Sequence, residues 1–183
     1  GSTFDGIGLT NGYHPLWMLV CIPIFALARY DLILPLRVLY MVMGILHLSA
    51  TILLYYLMKR AFAPPIAMFA ACFFAFDYQV QLTIFQQGLE TGIAAFFIVL
   101  MIYVLSQYEE RWKTSPAASK EIFILALLAT LVMFSRLDLV FLAALIGLRI
   151  VFRRSSLRDL LGADLLFIFT SVISSFVLRI GLP

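Results

Sequence analysis

Charge is scarce in this chain. Asp, Glu, Lys and Arg make up 13% of its 183 residues, half of the about 25% a soluble domain needs to cover its surface. With 63% hydrophobic residues and a mean hydropathy of +1.04, that shortage excludes water as the solvent for most of the chain. A dense basic patch is missing too. The net charge is only +3, which gives no footprint for nucleic acid. The only cysteines, Cys21 and Cys72, lie in apolar stretches, where a thiol behaves as a small hydrophobe. No Cys/His spacing of a metal site is present. Residues 1–13 lack the basic start and apolar core of a secretory leader. There is no initiator Met, and residues 179–183 stop as the chain leaves an apolar run. Both ends read as cut, so the expectation is a piece of a longer protein.

What remains is apolar and long. A membrane-crossing helix needs about 20 apolar residues, and four runs approach that: 36–58, closed by Lys59 and Arg60; 61–76, with Pro64 and Pro65 in its first turn; 91–106; and 160–178. Residues 16–28 are apolar but short, contain Pro23, and carry Trp17, which suits a helix lying along the membrane surface. Residues 122–152 are too long for one pass. A single helix there would run about 45 Å and strand Arg136 and Asp138 in the middle of the bilayer. Two shorter passes meeting at residues 135–138 avoid that cost.

The distribution of positive charge favours the doubled passage. If Lys59 and Arg60 are cytoplasmic, two further crossings bring Arg111, Lys113 and Lys120 to the same side. A double passage of 122–152 then returns Arg149, Arg153, Arg154 and Arg158 there as well, leaving Arg29, Arg37, Arg136 and Arg179 opposite. The predicted fold class is all-α, a polytopic transmembrane bundle of about six membrane helices, two of them short, plus a juxtamembrane interfacial helix. It forms one module over residues 1–183, with an extracytoplasmic loop over 1–15, the interfacial helix over 16–30 and the membrane helices over 35–183. Segments 1–15, 77–90, 135–138 and 181–183 then converge on the extracytoplasmic face.

Those segments hold the polar residues that need explaining. Gln79, Thr83, Gln86 or Gln87, and Glu90 recur at helical spacing, predicting one polar stripe. Glu90 reads either as a carboxylate near a helix N-terminus or as one available to a metal, a hydroxyl or a leaving group. Arg136 and Asp138, two apart, would not face each other on a helix. Arg136 reads as half of an interhelical ion pair or as a ligand for a lipid phosphate. In Asn11-Gly12-Tyr13-His14-Pro15-Leu16-Trp17, Pro15 can open a helix and leave His14 on the water side. His14 is also readable as an ordinary surface residue. His47, in mid-helix, reads as a helix–helix hydrogen-bonding residue.

Taken in order, these strings resemble the GT-C superfamily of membrane glycosyltransferases, which includes the protein O-mannosyltransferases and aminoarabinose transferases. The strings 3–6 and 10–17 are similar to the end of the family's first external loop leading into its juxtamembrane helix. Gln87-Gly88-Leu89-Glu90-Thr91 resembles the family's Gly-(Leu/Met)-Glu-Thr element. Phe134-Ser135-Arg136-Leu137-Asp138 resembles its Arg-containing acidic turn between later helices. The resemblance covers nearly the whole chain. It implies transfer of a sugar from a polyprenyl-phosphate donor to an acceptor hydroxyl on the extracytoplasmic side. It places Glu90 at the active-site rim as an accessory group, Asn11 and His14 flanking the sugar or acceptor site, Arg136 at the lipid phosphate, and Gln87 and Asp138 among the substrate-binding residues. Arg or a divalent metal would stabilise the departing phosphate. The family's catalytic base is an acidic residue early in the first loop, and by the resemblance it would fall upstream of Gly1. Asp5 lies too close to the 10–17 string to match it, so this chain alone is expected to be inactive. Two other classes account for the same features: a transporter or channel subunit, and a non-catalytic membrane subunit whose polar stripe is packing.

Overall fold

The computed structural model describes residues 15–86, 90–136 and 139–153, of which 86 and 150–153 by their backbone alone. Among the described residues every regular element is helical. The first, α1 (Pro15–Phe25), opens on a proline, whose missing N–H costs least there, and runs into a 3-10 turn at Ala26–Arg29. An interfacial helix ordinarily carries one polar face. α1 has none: Leu19, Ile22 and Phe25 form its exposed side, and it packs against α6.

α2 (Leu34–Ala61) is the longest element, about 42 Å at 1.5 Å per residue. It has Pro35 in its first turn and Lys59 and Arg60 in its last, where cations oppose the helix dipole favourably. Met43, His47 and Ala50 are buried, whereas Met41, Ile45, Leu48 and Ile52 form an exposed apolar row. Such a row suits lipid. α3 (Pro64–Phe76) returns beside α2, its Ala67 and Ala71 buried; small residues let helix backbones approach closely.

α3 has only 13 residues, about 20 Å, and does not cross alone. Asp77 is extended (φ −61°, ψ 129°), and its Oδ1 accepts from the Val80 N–H at 3.0 Å to start α4 (Tyr78–Gln81). A π-helical turn, Leu82–Gln86, follows. The whole bends by 46°. The expected continuous stripe over 77–90 is therefore broken into a short helix and a π-turn. Thr83 in it donates to the Gln79 carbonyl at 2.8 Å.

α5 (Thr91–Arg111) and α6 (Ser119–Ser135) form an antiparallel hairpin. Met101, Leu125, Ala129 and Val132 are fully buried between them. Glu121 locks the turn: it accepts from Arg111 Nη1 at 2.8 Å, Trp112 Nε1 at 2.7 Å and the Ala118 backbone N–H at 3.1 Å. Burial pushes its carboxyl up, but those three donors outweigh burial and hold it below the usual carboxylate range.

The chain leaves α6 at Arg136, which is extended (φ −152°, ψ 124°), and α7 (Val140–Arg153) runs back. Its Arg149 Nε lies 2.5 Å from Glu109 Oε1 near the C-terminal end of α5, and Ala143 and Ile146 bury into the α5–α6 core. The stretch 122–152 is thus two helices that double back, as the charge parity implies.

Two helices, α2 and α5, are long and apolar enough to cross a membrane. A third span results if the bent α3–α4 pair counts as one. The expected six are not reached among the described residues, because α3, α6 and α7 are each too short and the run 160–178 lies outside them.

Cysteines replacing Glu109 and Arg149 are expected to be bridged by a short bis-maleimide in the membrane-embedded protein. Absence of that product would mean α7 does not return beside α5. Glu121→Ala is expected to cost about 2–3 kcal/mol in thermal unfolding, the scale of losing hydrogen bonds to a charged acceptor. Because the folded carboxyl titrates below its unfolded value, Glu121's contribution is complete above the ordinary carboxylate range. It is lost as pH falls through the depressed folded value.

Candidate functional site

Two helix ends meet to make the site. Glu90 stands at the N-cap of α5, its carbonyl accepting from the Ala94 N–H at 3.0 Å. Its carboxylate does not cap the helix; it turns toward Arg136, whose Nε lies 3.9 Å from Glu90 Oε1. Arg136 follows the last residue of α6, its own N–H still donating to Val132 at 3.1 Å. The anion thus sits at a helix N-terminus and the cation at a helix C-terminus, so both dipoles favour the charges they hold. The Glu90 side chain is 11% exposed and that of Arg136 37%. The carboxylate is the buried partner and the guanidinium the accessible one.

The depth of this pair follows from packing. Arg60, near the end of α2, donates to Ser106 Oγ at 2.8 Å and to Gln107 Oε1 at 2.6 Å near the end of α5. α2 and α5 therefore run parallel with their C-terminal ends level. About thirteen residues back from that level, roughly 20 Å away, lie His47 on α2 and Ala94 on α5. Contacts agree with this register. The π-turn touches both helices there: Phe85 against the His47 ring, with centroids 5.9 Å apart, and Ile84 Cγ2 3.2 Å from where a Cβ on Gly92 would sit. Glu90 is thus recessed well below the N-terminal end of α2, not level with it.

A groove of about 300 Å³ lies between the bent span and the start of α5, lined by Phe74, Gln79, Val80, Thr83, Ile84, Ala95 and Thr91, the residue after Glu90. The surface those side chains expose in it is almost wholly apolar, and it opens outward. A divalent cation needs several oxygen ligands. Among the described residues no group of three or more His, Cys, Asp or Glu side chains gathers to hold one, and the carboxylate at this site already faces a guanidinium. These residues do not make a metal centre.

Of the sequence-predicted site residues, the structure brings Glu90 and Arg136 together from 46 positions apart. Asn11, His14, Gln87 and Asp138 lie outside the described residues. So does Gly1, upstream of which the main catalytic base is expected. His47 does bond between helices: its Nε2 is 3.3 Å from the Ala75 carbonyl oxygen and 3.1 Å from Gln81 Nε2. Sequence reasoning missed Gln81, which lies off the Gln79–Thr83 stripe; only the break at Asp77 gives it a task. Comparison of the chain with protein-family models, with curated proteins and with solved structures finds no match.

Reversing either charge, Glu90→Arg or Arg136→Glu, is expected to cost about 1–3 kcal/mol. That is less than the 3–5 typical of a broken buried pair, because water reaches Arg136. The exchanged double variant should recover most of it in thermal unfolding. Strictly additive losses would mean the two groups do not interact.

Proposed function

We propose that this chain is the membrane-embedded part of a glycosyltransferase of the GT-C type. It moves a sugar from a polyprenyl-phosphate donor to an acceptor hydroxyl on the extracytoplasmic side of a multi-pass bundle. The observation that carries this reading is the Glu90–Arg136 pair. Two motifs far apart in sequence supply a buried carboxylate and an accessible guanidinium at one end of one helical hairpin. The charges Arg111, Lys113 and Arg149 gather at the other end, which the distribution of positive residues makes cytoplasmic.

In this mechanism Arg136 receives the donor phosphate, for which a guanidinium offers planar, charge-assisted hydrogen bonds. The phosphate competes with Glu90 for it, and Glu90 then accepts from a sugar or acceptor hydroxyl beside the reacting carbon. Burial of the Glu90 carboxylate strengthens its interactions, while Arg136 stays accessible to the incoming phosphate. The apolar groove beside Thr91 gives the first part of the lipid tail a place to lie. Asn11, His14, Gln87 and Asp138 complete the rim in this reading.

A second reading has its own support. The 46° break within α3–α4 is the kind of discontinuous span that transporters and channels use. Uptake into vesicles by the purified full-length protein, without sugar transfer, would favour it.

Glu90→Gln in the full-length protein is expected to lower transfer by about 10²-fold, the scale of losing one positioned proton acceptor, with expression retained. Arg136→Ala should raise the donor KM more than it lowers kcat. Full activity in Glu90→Gln removes the carboxylate from the chemistry. Unfolding of Arg136→Ala with unchanged donor affinity would make the pair purely structural.

A further inference from the structure

Half-way along α2 sits a polar group that helix packing does not need. His47 is 8% exposed, wedged between Phe74 at 5.0 Å and Phe85 at 5.9 Å between ring centroids. Its Nδ1 is buried with no hydrogen-bond partner. Its Nε2 faces an acceptor, the Ala75 carbonyl, and a donor, the Gln81 amide, so it meets a partner in either tautomer. An apolar residue would fill this place without leaving a nitrogen unsatisfied.

The break at Asp77 explains the cost. In an unbroken helix the Ala75 carbonyl would accept from the N–H four residues on. The extended Asp77 ends that ladder, and in hydrocarbon an orphaned carbonyl costs several kcal/mol. The Gln81 side-chain amide donates to it instead, and the His47 ring lies against both. The imidazole therefore holds the bend shut from the neighbouring helix.

The bend in turn seats the π-turn. Phe85 lies edge-on to the His47 ring, and the preceding residue, Ile84, is buried against Gly92, where a Cβ would meet its Cγ2 at 3.2 Å. Gly92 is two residues from Glu90. One face of the π-turn is thus fixed by α2 and the other abuts the first turn of α5, which carries the carboxylate.

We infer that His47 is a positioning residue for Glu90: from α2, through Gln81 and the π-turn, it sets where the Glu90 carboxylate meets Arg136. The inference rests on the reading that Glu90 belongs to the site, and its test separates the two.

The test uses the full-length protein and two variants. His47→Phe keeps the ring and loses both nitrogens; His47→Gln keeps an amide able to bond Ala75 and Gln81. The first readout is sugar transfer from a polyprenyl-phosphate donor. His47→Phe should lower kcat about tenfold, the scale of a sub-ångström misplacement, with donor KM unchanged, and His47→Gln should restore kcat to within about twofold. The second readout needs no activity. With Cys21 and Cys72 changed to Ala, and with Glu90→Cys and Arg136→Cys introduced, the rate of bis-maleimide bridging reports the geometry of the pair. It should fall about tenfold with His47→Phe and recover with His47→Gln. A changed bridging rate, when the full-length protein with Glu90 and Arg136 intact transfers no sugar, keeps the positioning role and removes the transferase reading. Three results overturn the inference: bridging and kcat at parent levels in His47→Phe; loss of kcat in both variants with bridging unchanged, which would place the imidazole in the chemistry itself; or loss of the fold in both variants, which would make His47 a strut of the whole bundle.

Discussion

Hydrocarbon cannot hydrogen-bond a peptide group, and most features of this fold follow from that restriction. An uninterrupted helix satisfies its own backbone, so α2 and α5 need only apolar surfaces. Wherever the chain departs from a helix inside the apolar layer, side chains must take over the freed groups. The break after α3 is covered by Asp77 at the Val80 N–H and by Gln81 and His47 at the Ala75 carbonyl. After α6 the Arg136 N–H still closes the ordinary helical bond to Val132, where the Ser135 hydroxyl also donates, and the Arg136 carbonyl accepts from the Leu139 N–H at 3.1 Å.

Charge is then sorted by depth. At one end of the α5–α6 hairpin, Arg111, Lys113 and Arg149 each meet a glutamate with more than half of the cation's side chain exposed. Pairs of that kind are weakened by water and salt and contribute little each. Glu121 is the exception because it is buried and accepts three donors. At the other end Glu90 is buried while water reaches Arg136. Their attraction falls between that of an exposed pair and that of a fully buried one, and so does the penalty for losing either partner.

Much of this was legible in the sequence. Apolar runs placed α2, α3 and α5 to within a few residues, and the count of Lys and Arg on each side required 122–152 to double back. Arg149 beside Glu109 is the contact that realises it. The same topology carries 90 and 136 to one end of the hairpin, but no local pattern pairs them, and their contact emerges only in three dimensions. What was not legible has a common physical origin. Hydropathy reports whether a residue tolerates lipid, not whether its helix continues, so 61–76 read as a full span when it is only about 20 Å long. A helical stripe assumes a constant 3.6-residue period, and the π-turn at Leu82–Gln86 breaks that period just where the stripe was drawn. Gln81 and His47, 34 positions apart, share no local pattern. Only the three-dimensional break joins them.

The unequal lengths of the helices bear on the surrounding lipid. α2 is about 42 Å long while its neighbour α3 stops after about 20 Å, yet both present bare aromatic or aliphatic faces, with Phe69, Phe73 and Phe76 outward on α3. A bilayer adapts to such hydrophobic mismatch by thinning where the wall is short. Around this protein the leaflet would be dimpled on the α3 side, drawing headgroups down toward the level of His47 and Glu90.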